Sequence, residues 1–443
     1  MNCVFDPAPR MEESMSHRLL ATLAIFAALL VCQPLVPSAL AQTERTKSLL
    51  PMPTGPLPIG RMAMRFEDRS RIEPLSPEHR FREIMVDIWY PAALGEGLQP
   101  AAYIDLPGFE EGLGTAGMQD LFGSAYGAIK DGRVRTHAVD GAPFASSLQR
   151  CPLLVFSHGM GTVSQIYTAQ FEDLASYGYV VAALTHTYDA TLTLFPDGRR
   201  VVIDMASRPG QGSPEEKQIA YESQRIEWWA ADIRFVLDEL TRINRTKPRT
   251  MSFAGHLDLD RVAVFGHSVG GEAAARACQL DSRFRVCLNQ DGLQRFAPFH
   301  LDANGWGLNQ QFLLIMRARS AKPPSDKELA AMKMTLAEAQ AFVGKLQATQ
   351  EHALESTGRG SYRVLLNHDA ITHMTFSDLP VLQAHNPAET ESRTNALETI
   401  LSYDRSFFDK YLRGAPAPLL DEPKRSEFVD AVQWFRPGVP PRK

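Results

Sequence analysis

The stretch Arg261–Ala274, RVAVFGHSVGGEAA, decides how the rest of the chain is read. Arg261–Gly266 is short and apolar, with no polar alternation. A run of that kind fits a strand buried on both faces. The alanines that follow carry a helix over 271–278. Between strand and helix stands Gly266-His267-Ser268-Val269-Gly270. A serine on a tight strand-to-helix turn takes an unfavourable backbone conformation, and side chains on its neighbours would clash there, so glycine suits both flanks. The turn lifts the hydroxyl above the sheet, and the helix N-terminus aims N–H groups at the same point. Ser268 is therefore a candidate nucleophile. The plainer reading is a small-residue corner, and the surrounding chain must choose between them.

Working outward, strands and helices alternate from about residue 150 to 370. Cys151–Gly161 (CPLLVFSHGMG) is a buried strand followed by a glycine turn. Tyr167–Tyr177 reads as a helix closed by Gly178, and Tyr179–Leu184 as a second buried strand. Leu194–Ile203 turns back on itself around Pro196-Asp197-Gly198, as a hairpin does. In Glu222–Ile243, apolar residues at Ile226, Trp229, Ile233, Val236, Leu237 and Leu240 recur in helical steps and mark one buried face. Arg285–Asp291, Gln311–Met316 and Tyr362–Leu366 are further strands. Earlier, Arg61–Phe66 and Phe81–Ala92 read as strands, and 93–150 as loops with short helices. The alternation predicts an α/β fold: a mostly parallel central sheet with helices on both faces. The helical segment at about 320–358 exceeds a simple crossover and is expected to form a cap insertion. Residues 415–443 read as a Pro-rich C-terminal tail, leaving 42–414 as the catalytic domain.

The N-terminus reads as an export signal. His17 and Arg18 precede the apolar run Leu19–Cys32, and Ala39-Leu40-Ala41 is a small-residue cleavage site. The run is too short to span a membrane. Residues 1–41 are thus expected to be removed, with Met15 an alternative start, and the protein to be periplasmic or secreted. The 443-residue chain carries a net charge of −5 and no long basic run, which argues against nucleic acid as a partner. Cys151, Cys278 and Cys287 follow the signal and show no zinc spacing. Cys278 and Cys287 either close a short loop or are buried as small hydrophobes; both readings stand.

A serine hydroxyl needs a neighbouring base, and the base an orienting acid. In a sheet of this kind their chain order is serine, acid, histidine. Asp291 stands at the end of the strand after Ser268. Of His368 and His373, which follow the last core strand, His373 is preferred, because a loop separates it from the strand and the hydrophobic Met374-Thr375-Phe376 follows it. An oxyanion would be held by the N–H of Val269 and by one from the glycine loop Phe156–Gly161, assigned to Met160. His158, His267 and His186 are candidates for the pocket wall, and His158 is read as a structural hydrogen-bonder in preference to a second base.

Taken together, PLLVFSHGMG (152–161), FEDLASYGYVVAALTH (171–186), FGHSVGG (265–271), DSRFRVCLNQDG (281–292) and HMTFSD (373–378) resemble the plasma-type platelet-activating-factor acetylhydrolases. They are also similar to the wider group of bacterial dienelactone-hydrolase-like esterases. The resemblance implies an α/β-hydrolase that cleaves carboxylic esters with no metal and no cofactor. It places the nucleophile at Ser268, the acid at Asp291, the base at His373 and the oxyanion donors at Met160 and Val269. Two departures bear on substrate: dienelactone hydrolases use cysteine where this chain has Ser268, and the acetylhydrolases usually carry an aromatic residue where it has Val269. The expected partner is a small-molecule or lipid ester, with peripheral contact to a lipid surface. A short-acyl phospholipid, a polyester, another small ester and an amide all stay open, as does a non-catalytic binding protein on the same fold.

Overall fold

The structure is a computed structural model, and it describes residues 48–95, 97–210, 213–292, 308–318, 329 and 334–436. The expected export signal lies outside the described residues, as does the first part of the expected cap. Twelve strands are present among the described residues: β1 (Ile59–Ile72), β2 (Phe81–Pro91), β3 (Ala138–Asp140), β4 (Cys151–Ser157), β5 (Val180–His186), β6 (Leu192–Leu194), β7 (Arg200–Val202), β8 (Leu257–His267), β9 (Phe284–Gln290), β10 (Gln311–Arg317), β11 (Ser361–Leu366) and β12 (Val429–Phe435). Ten of them form one sheet in the order β12-β11-β10-β9-β8-β4-β5-β2-β1-β3, while β6 and β7 pair as a separate hairpin.

The six central strands, from β5 through β4, β8, β9 and β10 to β11, are mutually parallel. Antiparallel β2 flanks them on one side and antiparallel β12 on the other. Alternate residues of each central strand face opposite sides, because side chains on a strand alternate. Leu154, Phe156, Ala263, Phe265 and Leu288 join one core cluster, and Leu153, Val155, Val262, Val264 and Cys287 the other. The first cluster is covered by α1 (Leu106–Phe122), α3 (Thr168–Ser176) and α7 (Pro387–Phe408), with α2 (Ala125–Lys130) beside α1. The second is covered by α4 (Glu215–Thr246), α5 (Val269–Leu280) and the end of α6 (Leu336–Glu355). On α4 the six residues read as one face are all buried. This is the α/β arrangement expected from the alternation of elements.

Three segments extend or change the reading. α1 is a longer helix than the loop-rich composition of 93–150 suggested, broken at Gly114, which takes φ +65° inside it. α6, the described part of the expected cap, joins two parallel strands, and its Ala353 and Leu354 lie in the core. The expected tail is corrected. Val429–Phe435 pairs antiparallel with β11, setting Tyr362 opposite Trp434, and so forms an edge of the main sheet. An edge strand has one neighbour and is only half covered, so its sequence carries weak patterning. Cys278 and Cys287 are joined as a disulfide, linking α5 to β9.

Candidate active site

Ser268 stands between the end of β8 and the first residue of α5, with φ +57° and ψ −127°. A residue with a side chain held there costs about 1–3 kcal/mol, which the surrounding packing must supply. The packing is visible at the flanking glycines. A Cβ at Gly270 would lie 2.2 Å from the carbonyl oxygen of Ser157 and 2.3 Å from that of His158. One at Gly266 would lie 2.4 Å from the carbonyl oxygen of Gly270. The turn after β8 thus presses directly on the backbone that leaves β4. Parallel pairing brings these ends together: Ser157 is in register with Gly266, and His267 with Gln290.

His373 opens a short 3-10 turn, His373–Phe376, and this turn is braced by Thr372 N–H donating to Thr375 Oγ1 at 2.7 Å. Buried Phe376 stacks beside the ring of His267, 5.5 Å away. The His373 ring is left partly open to solvent, with Nε2 3.0 Å from Ser268 Oγ and Nδ1 2.6 Å from Asp291 Oδ2. His368 lies elsewhere, beside Phe428 and 3.5 Å from Glu427. Asp291 is buried and takes φ +54° at the end of β9. Burial opposes its charge, but the hydrogen bond with His373 and the Arg317 guanidinium outweigh it and hold its pKa below the ordinary carboxylate value. Arg317, the last residue of β10, donates from Nε to Asp291 Oδ2 at 2.7 Å and from its backbone N–H to Oδ1 at 3.2 Å. Sequence reasoning did not name Arg317. Its signal was its place at the end of the next parallel strand, where side chains reach the same edge.

Val269 is the first residue of α5, so its N–H has no acceptor within the helix. Across from it runs the loop after β4. A Cβ at Gly159 would lie 3.5 Å from Ser268 Cβ, so the peptide leading into Met160 passes beside Ser268. The Gly159 carbonyl accepts from the His158 ring at 2.7 Å, from Thr162 Oγ1 at 2.7 Å and from the Thr162 N–H at 3.1 Å.

The three histidines considered for the pocket wall are enclosed, which corrects that expectation for His186 and His267, while His158 takes the structural hydrogen-bonding role also read for it. Each is consumed by hydrogen bonds within the fold. His267 bridges Tyr167 Oη at 2.9 Å and the His373 carbonyl at 2.8 Å. Burial first, and the neighbouring His373 second, push its pKa down to about 3, so it is neutral. Nε2–H then donates to the His373 carbonyl, and Nδ1 accepts from Tyr167. His158 and His186 are wholly buried.

A model of the family "Platelet-activating factor acetylhydrolase, isoform II" matches residues 42–383. The chain belongs to this family. It is 27% identical over 173 residues to the platelet-activating factor acetylhydrolase of Canis lupus familiaris, covering 36% of this chain and 39% of that one. The match to the Bos taurus protein of the same name is 30% over 156 residues, covering 32% and 35%. A probable 1-alkyl-2-acetylglycerophosphocholine esterase of Arthroderma benhamiae is 24% identical over 283 residues, covering 58% and 62%. The chain thus spans well under half the length of the two mammalian relatives. Among solved structures, a ferulic acid esterase from Streptomyces cinnamoneus matches with a TM-score of 0.64 and 29% identity, covering 88% of this chain and 100% of that one. The fold is that of an α/β-hydrolase.

Proposed function

We propose that this protein is an exported serine hydrolase of carboxylic esters. The observation that carries the proposal is the continuous hydrogen-bond line from Ser268 Oγ through both nitrogens of His373 to Asp291. Ser268 Oγ attacks the ester carbonyl carbon while His373 Nε2 takes its proton, and the carbonyl π electrons move onto oxygen. The N–H groups of Met160 and Val269 hold that oxyanion. Collapse breaks the bond to the alcohol oxygen, which leaves with the proton from His373. Water then attacks the acyl-enzyme, giving its proton to His373. The carboxylic acid departs and Ser268 regains its hydrogen. Asp291, held in place by Arg317, stabilises the imidazolium in both halves.

For the substrate, the relatives' names support a short acyl ester on a phospholipid-like alcohol, and peripheral contact with a lipid surface is part of the same proposal. A second reading, a small or aromatic ester, is favoured by one observation: the ferulic acid esterase is matched over its whole length. Export is supported by the signal-like segment 15–41 and fits the Cys278–Cys287 disulfide, since such bonds persist in oxidising compartments.

The test compares the purified protein with its Ser268→Ala variant on p-nitrophenyl acetate and butyrate, with a fluorophosphonate to titrate the serine. Equal turnover by both proteins would refute the proposal. A matched panel of short-acyl phospholipids, aryl esters, a polyester and amides then decides between the two substrate readings.

A further inference from the structure

Beneath the candidate oxyanion loop runs a second line of serine, histidine and aspartate. Ser157 Oγ lies 2.9 Å from His186 Nε2, and His186 Nδ1 lies 2.9 Å from Asp232 Oδ2. All three side chains are shut off from solvent. The His186 ring stacks flat on Trp229, 4.2 Å centroid to centroid with 5° between planes. No substrate can reach this serine, so the line is not a second active site.

Its charges are fully matched, which is what a buried aspartate requires. Asp232 accepts from Arg82 Nε at 3.1 Å and from Arg82 Nη2 at 2.6 Å, and forms an ion pair with Arg71 at 2.8 Å. Burial disfavours its charge, but Arg82, the His186 hydrogen bond and Arg71 outweigh that and hold its pKa far below the ordinary value. Arg82 also bonds Glu73 and the Thr187 carbonyl. With Asp232 an acceptor only, His186 must donate from Nδ1, so Nε2 accepts the Ser157 hydroxyl proton. The residues come from β4, β5, α4, β2 and the end of β1.

The line continues toward the active site. The His186 backbone N–H donates to His158 Nε2 at 3.0 Å. That fixes the His158 tautomer, so its Nδ1–H donates to the Gly159 carbonyl at 2.7 Å. The Gly159 carbonyl and the Met160 N–H belong to one planar trans peptide and point in opposite directions. Holding the carbonyl on one side therefore aims the N–H on the other. Ser157 and His158 are also the residues whose carbonyls press on Gly270 of the nucleophile turn.

We infer that Asp232, His186, Ser157 and His158 form a buried positioning relay that sets the direction of the Met160 N–H toward the oxyanion. The inference rests on the serine-hydrolase reading above, because only there does the Met160 N–H have work to do. None of the four residues touches the reacting atoms; they act through the Gly159–Met160 peptide. The relay supplies the preorganisation that oxyanion stabilisation depends on, since a donor already in place costs no reorganisation during reaction.

The experiment uses Ser157→Ala and His186→Asn, alone and together. Serine to alanine removes one oxygen and is the variant safest for folding. Asparagine keeps a donor near Asp232 but cannot reach Ser157. Sites are counted by fluorophosphonate titration, and kcat and KM for p-nitrophenyl butyrate are expressed per titrated site. An alkyl boronic acid, which binds serine as a tetrahedral adduct, serves as the oxyanion mimic. Each single variant is expected to lower kcat per site about 10- to 100-fold, less than the roughly 10²–10³-fold loss of a whole donor. KM should stay within about twofold, boronate affinity should fall in step with kcat, and the double variant should lose no more than the worse single one. If kcat per titrated site and boronate affinity in both single variants match the wild type, with only melting temperature or titratable fraction reduced, the relay is merely structural and the inference is overturned. Full activity of Ser268→Ala would instead remove the reading beneath it, so the two failures are distinguishable.

Discussion

Asp404 on α7 is fully buried beneath the strand that leads to the acid, and it offers a sharp test of the electrostatics under the site. Its Oδ2 accepts from Gln170 Nε2 at 2.6 Å and Gln290 Nε2 at 2.7 Å. Its Oδ1 and the Oε1 atoms of both glutamines have no hydrogen-bond partner among the described residues. Burial, only partly offset by the two amide donors, pushes its pKa up to about 8. In the unfolded chain the same group titrates near the ordinary carboxylate value of 3.8. Between these values the unfolded state has released a proton that the folded state keeps. Stability is therefore greatest below pH 4 for this group, and falls by about 1.4 kcal/mol per pH unit until pH 8. At pH 7 the deficit is about 4 kcal/mol. Asp404→Asn keeps the shape and removes the titration. Its own burial has a cost, but that cost does not vary with pH. The stability gained on substitution should thus be larger at pH 7 than at pH 5 by about 2.7 kcal/mol. Urea unfolding of both proteins at pH 5, 6, 7 and 8 measures this. A difference between variant and wild type that stays constant within about 0.5 kcal/mol from pH 5 to pH 7 would sink the reasoning, since it would mean that Asp404 titrates alike in both states.

Gly270→Ala places a Cβ 2.2 Å from the Ser157 carbonyl oxygen, so the nucleophile turn and the loop after β4 must separate. Turnover of p-nitrophenyl butyrate should fall at least about 100-fold, with melting temperature lowered as well. Arg317→Ala removes the Nε donor 2.7 Å from Asp291 while leaving the backbone N–H, and kcat should fall about tenfold with little change in KM. A full rate in that variant would show that the Arg317 side chain is not needed to orient the acid. Burial pushes the Cys151 thiol up to about 11. In protein lacking residues 1–41, native samples should therefore be inert to a thiol reagent, and urea without reductant should expose one reactive thiol per chain. More than one would mean that the Cys278–Cys287 bond is absent.

The parts of the site written locally were legible. The Gly266–Gly270 pentapeptide between an apolar run and alanines specifies its turn, because the backbone strain and the close approach are properties of adjacent residues. Asp291 was legible from its place at the end of the strand after Ser268, and His373 from chain order and the apolar turn that follows it. Arg317 was harder. Arginine at a strand end is ordinary, and only the register of β9 with β10 aims it at Asp291. His186 was misplaced for a related reason. A strand-end position predicts nearness to the sheet edge, but not whether a side chain rises into the mouth or folds back into the core. His186 folds back because Asp232 is there to receive it, 46 residues away on α4.

By itself, then, the sequence determined the order of strands and helices, the strained turn that presents Ser268, and the kind of chemistry such a turn serves. These follow from periodicity and from the conformational limits of neighbouring residues, which operate over a few positions. Only the tertiary structure decided that Val429–Phe435 closes an edge of the sheet, that Arg317 shares Asp291 with His373, and that Ser157, His186 and Asp232 form a sealed line below the loop. Those outcomes depend on groups far apart in sequence, such as the 150 residues separating Arg82 from Asp232. Buried charges and polar groups must find partners wherever packing leaves them, and short-range pattern has no hold on that choice.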